Sequence, residues 1–222
     1  LYLGFSRPVD PAQESDRDSA RRLLESGTGD HLSFMTLWKS NRYFFHGDSY
    51  VAYRVSNGIA LTLGAPVGRD ISAEFERFAS EQGWAVAWYS VNAQFADAHP
   101  QLKRLQVAEE AVLNCESVEF KGKKFQNVRT ARNKAEKEGV STRWTTWEEL
   151  DIASIARISA LSEDWVSDKA LPEMGFTLGG LEEMTVTGTR LLLAESADGT
   201  LHGVTSWMPV YENGAIAGYV LD

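Results

Sequence analysis

Eight basic side chains fall within residues 121–143: Lys121, Lys123, Lys124, Arg129, Arg132, Lys134, Lys137 and Arg143. Only Glu136 and Glu138 oppose them there, so the segment is net +6 on a chain of net −9. Lys121, Lys123 and Lys124 stand where a helix is expected to begin, over Phe125–Glu138. Free backbone amides and the helix dipole favour an anion at that end. Arg129 and Arg132 are three residues apart and can share a face, with Asn133 beside them. Ammonium groups, guanidinium forks and helix amides together suit a phosphodiester. Phe125, Val128 and Ala135 are the residues expected to dock this helix inward.

Other chemistries find less support. Cys115 is the single cysteine, so a disulfide framework and a cysteine-rich zinc site are excluded. It is expected as a buried thiol within a strand. His31, His46, His99 and His202 have no two members at ligand spacing, and no metal site is expected. No serine lies in a nucleophile-elbow pattern. Gly64-Ala65-Pro66-Val67-Gly68-Arg69 is the candidate pyrophosphate turn for acetyl-CoA, but Pro66 removes an amide donor and the spacing is wrong. No cofactor is therefore expected.

The elements that must position these residues read as α+β. Asp10 and Pro11 suit a helix start, Gly27 a helix stop, and Leu23 and Leu24 the core side. A short helix is expected over Asp30–Trp38. Arg42–His46, Tyr50–Ser56 and Ile59–Gly64 form a meander through the turns Gly47-Asp48 and Asn57-Gly58. Helix Ile71–Gln82 presents Phe75, Phe78 and Ala79. Strand Trp84–Val91, a helix capped by Asn92 and running to about Leu105, and strand Val107–Cys115 follow. In the second half come Val140–Thr145 and a helix from Trp147 to about Ser167, capped by Thr146, with Ile152, Ile155, Ile158 and Leu161 on its apolar side. A loop over Asp168–Gly188 precedes a second meander, Arg190–Glu195, Leu201–Val210 and Ala215–Leu221, turning at Asp198-Gly199 and Asn213-Gly214.

The chain has 222 residues, 43% of them hydrophobic and 24% charged, values of an ordinary globular protein. No mostly apolar run without a charge, Gly58–Gly68 among them, approaches the ~20 residues of a membrane span. The net negative charge argues against general nucleic-acid binding, whereas one basic stripe suggests one anionic ligand at one place. The start at Leu1 rather than at a methionine is expected of a fragment, with anything upstream outside it. Helices, an antiparallel meander and a strand–helix–strand crossover follow the order of GNAT-type acyltransferases. The expectation is a tandem GNAT-like pair, residues 1–116 and an incomplete 117–222, with mostly antiparallel sheets and a cleft between the halves.

Six groups of residues carry a family resemblance, three in each half. In the second half they are Gly122-Lys123-Lys124 with Arg129, Asn133, Ala135, Glu138 and Gly139; Ser162, Asp164 and Trp165; and Glu173 with Gly175-Phe176-Thr177-Leu178-Gly179. In the first half they are Arg42-Tyr43-Phe44-Phe45, Tyr53-Arg54-Val55 and Gly64-x-Pro66-Val67-Gly68. From about residue 30 to Asp222 the chain resembles the C-terminal domain of bacterial phosphatidylglycerol lysyltransferases, the multiple peptide resistance factor family. Ala65 departs from an aspartate frequent in that family's turn. Val220-Leu221-Asp222 resembles the start of a family segment in which an arginine follows.

The resemblance implies an aminoacyltransferase that moves lysine or alanine from aminoacyl-tRNA to the glycerol hydroxyl of phosphatidylglycerol. It implies a domain on the cytoplasmic face of the bacterial cell membrane, usually attached to a larger membrane protein. Asp222 is then the first candidate for the carboxylate that orients the hydroxyl or holds the donor ammonium group, followed by Asp164 and Glu173. Trp165, Phe176 and Trp207 are candidates for an apolar lipid path. Lys121, Lys123, Lys124, Arg129, Arg132 and Asn133 are candidates for holding the phosphodiesters. Related transferases acting on a peptidoglycan precursor or another lipid are the alternative, as is a non-catalytic module for membrane surfaces or RNA.

Overall fold

A computed structural model describes residues 14–167 and 179–222, the side chains of residues 165–167 excepted. Asp10 and Pro11 of the expected helix start, Pro172 and Gly175 of the expected loop, and the candidates Glu173 and Phe176 lie outside the described residues, as does the side chain of Trp165.

Helix α1, Glu14–Leu23, runs into a widened turn at Leu24–Thr28 and then a 3-10 turn at Ser33–Leu37. That turn replaces the helix expected over Asp30–Trp38. Strands β1 (Arg42–His46), β2 (Ser49–Ser56) and β3 (Ile59–Thr62) form the expected meander. Register pairs His46↔Ser49 and Ser56↔Ile59 leave two-residue loops. Asn57 and Gly58 both have positive φ, 50° and 74°, the twist a tight hairpin requires. Helix α2 (Ser72–Glu81) buries Phe75 and Ala79, as its apolar spacing predicts. Strand β4 (Ala85–Ala87) then pairs parallel with β3, completing the sheet β1-β2-β3-β4.

Asn92 caps α3 (Ala93–Ala98) by accepting from the Phe95 amide, but the helix stops well before Leu105. The strand expected over Val107–Cys115 does not form. Val107, Val112 and Leu113 are exposed and find no facing strand among the described residues, so this apolar stretch has nothing to bury against. Cys115 accordingly sits exposed in a single turn, not buried as expected.

Helix α4 (Gln126–Lys137) leads into β5 (Val140–Thr145). Trp147–Glu149 is a separate 3-10 turn, and α5 (Ile152–Ser167) starts later than expected. Asp151, not Thr146, supplies its cap, accepting from the Ser154 amide at 2.7 Å. Ile158 is fully buried in α5, whereas Ile152 in the first turn is 86% exposed and Ser154 of that turn is buried in its place. The short α6 (Leu181–Met184) precedes β6 (Arg190–Ser196), β7 (Leu201–Glu212) and β8 (Ala215–Leu221). These make an antiparallel sheet in the order β5-β6-β7-β8. The β7–β8 hairpin turns at Asn213 and Gly214, again both at positive φ.

The main core crosses between the sheets. Ala20, Leu24, Phe34, Leu37, Trp38, Tyr50 and Val67 pack with Met208 of β7, and Val186, Tyr211 and Val220 close around them. Burying each of the larger side chains contributes about 1.5–3 kcal/mol. Gly27, at φ 85°, lies against the β7–β8 turn, where a Cβ would overlap the backbone of Glu212 and Asn213. A second core of Val51, Tyr53, Ile71, Phe75 and Ala79 packs with Phe44, Phe78, Trp84 and Trp88.

Candidate active site

Asp222 follows β8 and is tied to β7 by its backbone, the Asp222 amide donating to the Ser206 carbonyl at 3.0 Å. The residue as a whole remains solvent-accessible, but its carboxylate turns inward. Oδ1 accepts from the Gly179 amide at 3.1 Å, and Oδ2 from the buried Ser206 hydroxyl at 3.3 Å. Burial pushes the carboxyl above its ordinary pKa; the Gly179 amide and the Ser206 hydroxyl oppose this, and the neighbouring Glu183 carboxylate adds to it. A Cβ at Gly179 would overlap the Asp222 carboxylate, which would have to move aside. Glu183 in turn accepts from the Gly180 amide at 2.9 Å, holding the start of α6.

The other half meets α6 directly. Lys39 Nζ lies 2.5 Å from Glu182 Oε1. Arg54 of β2 donates from Nε to Asn41 Oδ1 at 2.8 Å and from Nη2 to the Lys39 carbonyl at 3.2 Å. Asn41 is buried and donates to the Met35 and Thr36 carbonyls, each at 3.1 Å. Farther along, Arg21 donates to the Thr187 carbonyl at 2.8 Å.

The basic stripe is an open surface. Lys121, Lys123, Lys124, Arg132 and Asn133 are exposed. Gly122, at φ 81°, turns the chain into a 3-10 turn, Lys123–Phe125, ahead of α4. Arg129 reaches back over this turn and donates to the Phe120 and Gly122 carbonyls at 2.8 and 2.9 Å, stapling it. Lys121 pairs with Glu119 at 2.9 Å and Arg132 with Glu136 at 3.5 Å. Lys124 stands over the Phe125 ring. Phe125 and Ala135 are partly buried as expected; Val128 is 45% exposed, although α4 packs on β5.

α4 packs on β5, whereas Asp222 extends β8. β5 and β8 are the two outer strands of this sheet, so the helix that carries the stripe and the strand that carries the carboxylate are not neighbours in it. Asp164 is exposed near the end of α5. Trp207 pairs edge-on with Trp144, and Arg190 stands over the Trp144 ring at 4.9 Å. Gly179 and Arg54 belong to motifs visible in the sequence, but nothing local marked Ser206 or Glu183.

The Gly64–Arg69 turn keeps its amides for the fold. Gly64 donates to the Tyr89 carbonyl, Val67 to Tyr50, Gly68 to Thr28 and Arg69 to the Ser49 hydroxyl. With Pro66 lacking an amide, only that of Ala65 is uncommitted in these hydrogen bonds. Among the described residues no group of three or more His, Cys, Asp or Glu side chains converges. None of the described helices is long and apolar enough to cross a membrane.

The sequence profile described as "Phosphatidylglycerol lysyltransferase, C-terminal" matches residues 20–222. The chain belongs to this family. An uncharacterized protein of Corynebacterium glutamicum is 55% identical over 233 aligned residues, which take in all of this chain and 29% of that protein. The phosphatidylglycerol lysyltransferase of Staphylococcus xylosus is 26% identical over 88% of this chain and 24% of its own length. The lysylphosphatidylglycerol biosynthesis bifunctional protein LysX of Nocardia farcinica is 29% identical over 87% of this chain and 18% of its own. This chain thus spans less than a third of these relatives. Among solved structures, L-PGS from Bacillus licheniformis superposes with a TM-score of 0.80 at 22% identity, covering 97% of this chain and 67% of that one. The C-terminal domain of a lysylphosphatidylglycerol synthetase from Agrobacterium fabrum gives 0.75 at 17% identity, over 89% of this chain and 64% of that one. The family membership agrees with the sequence resemblance, and the mixed α+β fold with antiparallel sheets is common to these structures.

Proposed function

We propose that the protein transfers an aminoacyl group from aminoacyl-tRNA to the glycerol hydroxyl of phosphatidylglycerol, lysine being the group suggested by its relatives' names. The observation that carries this reading is the Asp222 carboxylate, held by Gly179 and Ser206 with its proton affinity raised by burial. Donor and product are both esters, so the step needs alignment, a proton acceptor and oxyanion stabilisation, but no ATP. A carboxyl raised above its ordinary range suits the proton acceptor or the anchor of the donor ammonium group. Lys121, Lys123, Lys124, Arg132 and Asn133 supply the phosphodiester surface, with Arg129 shaping it.

In this reading Asp164 and Glu173 are the further candidate carboxylates, and Trp165 and Phe176 line the lipid path. The two sheets are two acyltransferase-type halves, residues 1–116 and 117–222, working at the cytoplasmic face of the membrane. The test is to incubate the full-length protein with lysyl-tRNA or alanyl-tRNA and phosphatidylglycerol vesicles, then to search for aminoacyl lipid by mass spectrometry. Lysyl-phosphatidylglycerol is expected. Product on another acceptor would reassign the acceptor, and binding of both substrates without any product would make this a binding module.

A further inference from the structure

Arg54, from the Tyr53-Arg54-Val55 motif, sits beside the point where the first half meets α6 of the second. Its guanidinium fork braces two points of one loop, the buried Asn41 side chain and the Lys39 carbonyl. From that loop Lys39 Nζ crosses to Glu182 on α6. At the start of α6, Gly180 is held by Glu183, and the adjacent Gly179 donates its amide to Asp222. These contacts form one continuous path from β2 of the first sheet to the end of β8 in the second.

We propose that Arg54 is a positioning residue for Asp222: by bracing the Lys39–Asn41 loop it sets α6, and α6 sets the Gly179 amide on the carboxylate. The inference rests on the reading of Asp222 given above. Three observations support a role beyond packing. Arg54 is only partly buried, and Asn41, which it grips, is itself fully engaged with the Met35 and Thr36 carbonyls, so the fork is aimed at a rigid target. Glu183 is near enough for its charge to favour the charged guanidinium, opposing the effect of burial. The Gly179 amide is one of two donors to Asp222, the other coming from Ser206 of β7; Glu183 is the charged group facing it from α6. A shift of α6 therefore alters the carboxylate directly.

The experiment compares Arg54→Met, Arg54→Lys and the exposed-site variant Lys39→Met with wild type in the full-length protein. The Asp222 titration is followed by carboxyl carbon NMR, beside transfer kinetics and a melting curve. Loss of the Gly179 donor disfavours the ionised carboxylate, so the Asp222 midpoint and the acid limb of kcat should both move to higher pH. In Arg54→Met, kcat should fall about tenfold with KM nearly unchanged, as small misplacements of reacting groups do. Arg54→Lys keeps the charge but not the fork and should rescue little. If Arg54→Met proves unstable, Lys39→Met carries the same test at lower structural cost. An unmoved Asp222 midpoint in folded variants would overturn the proposal, and so would a moved midpoint with unchanged kcat. Wild-type protein without transfer activity but with a midpoint that moves in the variants would support the strap and remove the transferase reading instead.

Discussion

The carboxylate of Asp222 and the backbone of Gly179 are fitted to one another: the amide donates at 3.1 Å, and the space a Cβ would occupy is filled by the carboxylate itself. Gly179→Ala must therefore displace Asp222 or the chain around residue 179. Transfer to lipid should drop tenfold or more, while the melting temperature changes little because the contact lies at the edge of the core. A melting curve run beside the activity assay checks both halves of this expectation.

Asp222→Asn should reduce kcat by about 10²-fold if the carboxylate moves or holds a proton. Its effect on stability has a definite sign. The folded-state pKa is raised, so the folded protein binds the proton more tightly than the unfolded chain. Stability contributed by this group is present at low pH and is lost as pH rises from the ordinary carboxyl value through the raised one. Asp222→Asn removes that loss, so the variant's stability relative to wild type should improve with rising pH across this window. Urea melts at several pH values measure this difference.

Lys123→Ala with Lys124→Ala should weaken binding to tRNA and to anionic vesicles. The plot of log affinity against log salt should flatten by about 0.7–0.9 for each lost phosphate contact. Both side chains are exposed, so the melting temperature should hold. Binding curves at several salt concentrations decide whether the stripe meets phosphates.

Calorimetric titration with coenzyme A should show no saturable heat. The amides of Gly64, Val67, Gly68 and Arg69 are already bonded within the fold, and Pro66 has none to offer a pyrophosphate. A micromolar signal would restore acetyl transfer as a competing activity.

Local chemistry was legible wherever it was self-contained. Asn57-Gly58 and Asn213-Gly214 marked their hairpins because the required positive φ values are a property of those residues. Val140–Thr145 and Ala215–Leu221 were bounded by turns and emerged with the expected limits. Val107–Cys115 misled because apolar residues signal a strand only when another strand lies alongside to bury them. Ile152 misled because helical spacing does not say which residue of the first turn faces inward, and Ser154 does. At the site, Asp222 was visible as a charge ending an apolar strand. Its clasp was not, since Gly179 lies 43 residues away and Ser206 belongs to a neighbouring strand.

The core that runs from Ala20, Leu37 and Trp38 to Met208 has a consequence for how the chain is made. The ribosome releases the first sheet long before β7 exists. At about 5–20 residues per second, the roughly 170 residues between Trp38 and Met208 take on the order of ten seconds or more to synthesise. Through that interval Leu37, Trp38 and Tyr50 lack their partners from the second half, leaving an apolar face open to water. Hydrogen-exchange labelling of stalled nascent chains should find the first half unprotected along this face until β7 and β8 have emerged.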